Sequence, residues 1–354
     1  MKIGIVGLAG SGKTTIFNAL TGARVEVSSY SGAKKDPNLA VVGVPDSRLE
    51  RLSGMYKPKK TVPVQVQYVD VATALPGKDG GEGGPKDASM DEILRLLRPV
   101  DALVMVIRNF DRMGEPATPQ KDLEAFESEM ILTDLIAVER RLERLEKELA
   151  KAKKGDPKEF ELLKNARGVL DSGKALRTFP EIINYPALRG HAFLSAKPCI
   201  VVLNSGDDVE QGKVVLEAPA GVVVLEIKGR LEMELAQLAP DEADVFRLEL
   251  GLSRPATYRL IQESYKLLGL IYFFTVGDDE VRAWNIVAGT TAQKAAGVIH
   301  SDIEKGFIRA EVVSYDDLTS YGAYGEAQKA GRVRLEGKEY VVRDGDVVNF
   351  RFNV

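Results

Sequence analysis

The residues with the clearest chemistry lie at the start of the chain. Gly7-Leu8-Ala9-Gly10-Ser11-Gly12-Lys13-Thr14 fits G-x-x-x-x-G-K-[ST] at every fixed position. Glycines let backbone N–H groups converge on phosphate oxygens with no Cβ in the way, and a lysine placed after them neutralises phosphate charge. The hydroxyl of Thr14 is a hard oxygen ligand suited to Mg²⁺. The flanks match this chemistry. Ile3-Gly-Ile-Val6 reads as a short buried strand, and Thr15-Ile16-Phe17-Asn18-Ala19-Leu20 continues with helical apolar spacing. A helix N-terminus adds partial positive charge. The expected phosphate-binding residues are therefore Gly7, Ala9, Gly10, Ser11, Gly12, Lys13, Thr14 and Thr15, with Lys13 also the expected catalytic residue. A metal at this site needs a second carboxylate, normally at the end of a neighbouring strand. The run Val62-Pro-Val-Gln-Val-Gln-Tyr-Val69 ends at Asp70, which makes Thr14 and Asp70 the expected metal residues and Mg²⁺ the expected cofactor. A turn-capping role is the other reading of Asp70.

These groups must be positioned by a scaffold, and the rest of the chain describes one. Asp101–Ile107, Pro198–Leu203 and Gly221–Leu225 read as buried strands, and Leu231–Leu238 reads as a helix. Strands alternating with helices imply an α/β fold with a mostly parallel sheet and ligands at the carboxyl ends of its strands. The glycine-rich stretch 77–85 after Asp70 reads equally as a nucleotide-sensitive switch loop or as a linker.

Nearly ninety residues separate the first and second of these strands, too many for an ordinary connection. Within them Leu135, Val138, Leu142, Leu145 and Leu149 form a narrow apolar seam on a charged helix, expected from about Met130 to Ala152. Gly155-Asp156-Pro157 breaks it, and Phe160, Leu163, Arg167 and Leu170 suggest a returning helix, hence an antiparallel coiled-coil arm. Residues 139 to 177 hold twelve Lys/Arg and eight Asp/Glu. Mixed charge of this kind suits a solvated face; it also suits a projecting basic arm for RNA or an acidic partner, with Lys151, Lys153 and Lys154 the residues to reverse.

From Leu270 the pattern changes to a β-hairpin, a short helix near 291–296, a strand at 307–313, short strands at 332–335 and 339–342, and a closing strand at 346–352. That order suits a small β-grasp domain. Its ten Lys/Arg against thirteen Asp/Glu argue against general nucleic-acid binding, although Arg282, Lys294 and Arg309 could form a local patch. Trp284 and Phe307 read as core residues.

Composition narrows the classes. The chain has 354 residues, a net charge of -4 and a pI near 5.6, so a uniformly basic, DNA-coating surface is excluded. One cysteine, Cys199, and two distant histidines, His191 and His300, leave little for a thiolate or imidazole metal centre and suit a reducing, cytoplasmic setting. No run of eighteen apolar residues occurs, so no membrane span is expected.

With these motifs in view, the chain resembles, end to end, the Obg-like YchF family of translation-factor-class P-loop NTPases. The resemblance is carried by Pro45-Asp46-Ser-Arg-Leu-Glu-Arg-Leu52, Tyr56–Pro63, Asp70-Val-Ala72, Ala295–His300, Glu304–Glu311, Leu335–Val342, and Asp344-Gly-Asp346 through Asn349–Val354. It implies a P-loop NTPase G domain at 1-128 and 191-268, an antiparallel helical coiled-coil insertion at 129-190, and a ubiquitin-like β-grasp TGS domain at 269-354. It also implies slow Mg²⁺-dependent hydrolysis of ATP in preference to GTP, and association with the ribosome or ribosomal RNA. A nucleotide-gated binder with little hydrolysis and a GTPase are the alternatives. The sequence departs from the family around the terminal phosphate. Lys34 stands where a metal-ligating Thr is expected, Thr73 where a glycine is, and Met105 where many members carry a histidine. For the base, Asn204-Ser205-Gly206-Asp207 replaces N-K-x-D, and Lys228-Gly229-Arg230 replaces S-A-K. Asn204, Asp207 and Lys228 are the base-binding residues this implies.

Overall fold

A proline divides what the alternating pattern presents as one strand. In the computed structural model, which describes residues 1–22, 38–71, 96–150, 155–210, 212–252 and 254–353, the chain opens with β1 (Lys2–Val6), α1 (Lys13–Thr21), β2 (Asn38–Gly43), α2 (Ser47–Tyr56), β3 (Lys60–Val62) and β4 (Gln65–Asp70). Pro63 lies between β3 and β4, which belong to different sheets. A proline cannot donate to a ladder, so pairing ends there.

Two compact units result. The first comprises Met1–Val42 and Gln67–Ser264, the second Gly43–Val66 and Tyr265–Val354. The sequence bounds placed 43–66 with the N-terminal domain; backbone pairing places it with the C-terminal one. There, β3 lies parallel to β9 (Glu280–Val287), and the amides of Lys59 and Lys60 donate to the carbonyls of Asp278 and Asp279 at 3.1 Å each.

In the first unit, β5 (Ala102–Asn109), β6 (Cys199–Ser205) and β7 (Val223–Ile227) complete a sheet of order β2-β4-β1-β5-β6-β7. The pairings β1–β4, β1–β5, β5–β6 and β6–β7 are all parallel. Central strands of a parallel sheet are covered on both faces and need continuous apolar sequence. Ala102–Ile107 and Cys199–Leu203 supply it, with every residue buried. Register then decides function: Ile5 is opposite Asp70 and Val6 opposite Met105. The end of β4 thus stands beside the end of β1, where the glycine loop begins.

The charged helix is α3 (Pro119–Ala150), and it begins eleven residues before the expected start at Met130. Its first turns carry Leu123, Phe126 and Met130 into the core over the sheet; its later turns carry Val138, Leu142 and Leu145 against Leu163, Ala166 and Leu170 of α4 (Pro157–Asp171). The change of partner partway along one helix explains the early start, because the narrow apolar seam marks only the second half. The two helices run antiparallel, with Arg141 paired to Glu159 and Arg167 to Glu139. Lys151, Lys153 and Lys154 lie outside the described residues, as do Lys34, Thr73 and the glycine-rich stretch 77–85. Helical segments α5 (Gly229–Leu235), α6 (Pro240–Glu249) and α7 (Ala256–Leu267) follow β7. Among the described residues, no helix is long and apolar enough to cross a membrane.

The second unit adds β8 (Leu270–Thr275), α8 (Ala292–Ile299), α9 (Ser301–Lys305), β10 (Phe307–Ser314), α10 (Tyr315–Tyr321), α11 (Tyr324–Lys329), β11 (Arg334–Glu336) and β12 (Asp346–Phe352). Its mixed sheet has the order β11-β10-β12-β8-β9-β3. Phe273, Ile286, Ala292, Ala295, Ala296, Val312 and Phe350 form its core. Phe307 is buried in that core, and Trp284 packs on it half-buried. The strand expected at 339–342 is only a single bridge between Val341 and Thr291.

Candidate nucleotide-binding site

The glycine loop occupies the turn between β1 and α1. Gly12, the residue before the helix, has φ 91° and offers no side-chain cap to the first helical amides. Those donors face outward for an external acceptor, which is what an anion site requires. A side chain at Gly12 would meet strain from the left-handed backbone and would strike the Asn204 amide.

Lys13 is buried, and its Nζ donates to the carbonyls of Gly7 and Leu8 at 3.1 Å each. Burial lowers its pKa from the usual 10.5 to about 8, against the opposing charge of Asp70. Thr14 Oγ1 donates to Asp70 Oδ2 at 2.9 Å, and Asn38 Nδ2 reaches the same oxygen at 3.4 Å. Asp70 is fully buried, and burial raises its pKa despite the bonds from Thr14 and Asn38 and the charge of Lys13. Its second oxygen, Oδ1, has no hydrogen-bond partner among the described residues. Such an atom is costly unless something occupies it. Two hard oxygens, Thr14 Oγ1 and an orphaned buried carboxylate oxygen, are a donor set that fits Mg²⁺.

The residues expected at the base behave differently from one another. Asn204 is buried, donating to the Ser11 carbonyl at 2.9 Å and accepting from the Gly229 amide at 3.1 Å. Both ends of its amide are thus committed to backbone, and it ties the glycine loop to the start of α5. Asp207 is exposed, and Lys228 Nζ donates to its carbonyl at 2.9 Å. Ala9 and Gly10 are exposed on the loop, Thr15 is half-buried on α1, and the Ser11 hydroxyl is buried without a partner among the described residues. Met105 is fully buried in the core with Val6 and Val69, so it gives the site no polar group. Sequence reasoning overlooked two residues. Asn38 reaches Asp70, and Arg112, in the turn after β5, lies against Gly10. The Asp111-Arg112-Met113-Gly114 turn directly after a buried strand was the available signal for the second.

Residues 2–156 match the family model described as 50S ribosome-binding GTPase, and residues 270–353 match the YchF-GTPase_C model, described as a protein of unknown function (DUF933). The Bacillus subtilis protein named ribosome-binding ATPase YchF is 41% identical over 100% of both chains. The chain belongs to the YchF family. The Pasteurella multocida member is 38% identical over 100% of this chain and 99% of its own. The solved structure titled as the Schizosaccharomyces pombe YchF GTPase superposes with a TM-score of 0.82 at 32% identity, covering 99% of this chain and 97% of that one. Likeness to YchF proteins thus spans both units, and the P-loop GTPase-type α/β fold of the first unit is shared with them.

Proposed function

We propose that this chain is an NTP hydrolase that binds ATP with Mg²⁺, turns it over slowly, and acts as a regulatory protein on the ribosome in the cytoplasm. The observation that carries the reading is the convergence of Lys13, Thr14 and the half-satisfied carboxylate of Asp70 at the adjacent ends of β1 and β4. The loop amides and Lys13 hold the phosphate tail, and the α1 N-terminus adds its dipole. Thr14 and Asp70 hold the cation, which when bound neutralises charge on the phosphate oxygens. Asn204 keeps the loop and the start of α5 at fixed separation, so its part in base recognition is positional; Asp207 and Lys228 line the base side. Relatives carry the name ribosome-binding ATPase, whereas the fission-yeast protein is named a GTPase. Competition of labelled ATP by GTP decides between the bases. The domain plan offered for ribosome binding is a G domain at 1-128 and 191-268, less the segment 43–66 that pairs within the second unit, a coiled-coil arm at 129-190 and a TGS domain at 269-354.

The burial of Met105 favours a second reading, a nucleotide-gated ribosome binder with little hydrolysis, because no side chain described near the loop is an evident general base. Single-turnover assays with and without ribosomes separate the two. Product formation that Lys13→Ala abolishes supports the enzyme. Tight ATP binding with no product on either arm supports the binder.

A further inference from the structure

Beyond the residues that the glycine motif names, the site is approached by one more cation. Arg112 lies in the turn that follows β5, and its guanidinium rests against Gly10, whose φ is 74°. A Cβ at Gly10 would strike Arg112 Nη1, and it would come within 2.6 Å of Cζ. Gly10 is thus required twice over, for a left-handed backbone and for the space that the guanidinium fills.

Arg112 is held there by construction. Its amide donates to the Glu115 carbonyl at 3.0 Å and its carbonyl accepts from the Glu115 amide at 2.8 Å. The two residues between, Met113 and Gly114, both have positive φ, 49° and 84°, as a tight two-residue hairpin turn demands. A left-handed methionine is uncommon, so the turn is over-determined by its surroundings. Arg108 supplies that support, with its guanidinium donating to the carbonyls of Phe110, Glu115 and Pro116 at 3.3 Å each. Asp111 Oδ1 accepts from the Ala117 amide at 3.3 Å. The nearest acid in sequence is thus turned to the backbone. Among the described residues, the Arg112 guanidinium has no carboxylate and no hydrogen-bond acceptor. A planar fork of five donors left free against an exposed stretch of the phosphate loop matches phosphate oxygens in charge and geometry.

We propose that Arg112 is a second phosphate-binding cation of this site, contacting the polyphosphate tail of the bound nucleotide from the β5 side of the loop while Lys13 contacts it from within. The proposal rests on the reading of the loop as a triphosphate cradle. It gives the site a delocalised charge, supplied in cis, where Met105 offers nothing polar.

The test is titration calorimetry of the full chain with ATP and Mg²⁺, comparing wild type, Arg112→Ala, Arg112→Lys and Lys13→Ala, with thermal midpoints of the nucleotide-free proteins measured alongside. Arg112→Ala is expected to weaken ATP binding about tenfold, the scale of a charge-assisted hydrogen bond, without lowering the midpoint. Arg112→Lys should recover part of the loss, and free guanidinium ion at non-denaturing concentration should recover part of it in the alanine variant. Unchanged affinity in Arg112→Ala overturns the proposal, as does a loss that neither lysine nor guanidinium reverses, which would mark a packing role alone. In both of those cases wild type still binds and Lys13→Ala still fails, so the cradle itself stands. If wild type and Lys13→Ala are alike in binding nothing, the cradle and the proposal fall together.

Discussion

Among the described residues, the first unit buries two aspartates, and they live differently. Asp134, on α3, accepts from the backbone amides of Leu194 and Ser195 at 2.9 and 2.7 Å, one to each oxygen. Asp70, at the end of β4, has one oxygen shared by Thr14 and Asn38 and the other bare among the described residues. Burial raises the pKa of both, so the direction of the shift does not tell them apart. The hydrogen-bond inventory does. Asp134 is finished by its own chain, and it anchors α3 beside the segment that leads into β6. Asp70 is unfinished, beside a lysine that is itself buried against its charge. A structural carboxylate stabilises the fold; one kept incomplete costs stability until a ligand completes it.

The largest effect that would break this comparison is on stability. Asp134→Ala leaves two buried amides without acceptors and is expected to lower unfolding free energy by about 3 kcal/mol, read by denaturant titration, with ATP affinity unchanged under conditions where the variant is folded. Asp70→Asn should go the other way. It removes a carboxylate penalised by burial while keeping an acceptor for Thr14, so nucleotide-free stability should rise and the Mg²⁺ dependence of ATP binding should vanish. If Asp70→Asn destabilised the free protein as Asp134→Ala does, the distinction would collapse.

The pH dependence is subtler. With its folded pKa near 8, below the usual 10.5, Lys13 loses its charge early. ATP affinity should therefore fall by up to about tenfold between pH 7 and pH 9, the span over which the ammonium deprotonates. The effect on folding has the opposite sign. Between about 8 and 10.5 the unfolded chain holds more protons at this site than the folded one, so the Lys13 contribution to stability rises with pH through that window. Flat ATP affinity across the range would show that Lys13 is not the cation that the phosphate tail meets.

How much of this was legible beforehand follows the range of the interactions. The glycine loop is local, and its strand, turn and helix are all encoded within twenty residues, so Gly7 through Thr15 could be read directly. Asp70 was legible because strand ends in a parallel sheet lie side by side. The pairing of Ile5 with Asp70 then placed the carboxylate at Thr14. The α3–α4 pair showed itself in a heptad-like seam, but the first turns of α3 did not, because Leu123, Phe126 and Met130 follow the sheet's core instead. The transfer of 43–66 to the second unit was invisible for a related reason. Alternation across 62–69 is the same whichever sheet receives each half, and only Pro63 hinted at a break. Asn204 read as a base-recognition residue; what sequence could not convey is that its amide is spent on Ser11 and Gly229, contacts 193 and 25 residues away.

Equilibrium titration of the metal-replete full chain with ATP, beside Lys13→Ala, decides whether the glycine loop holds a nucleoside triphosphate. A saturable affinity in the wild type that the substitution lowers by about a hundredfold, equivalent to roughly 2.7 kcal/mol, is the predicted result. No measurable affinity for ATP or GTP, with no difference between the two proteins, would contradict it.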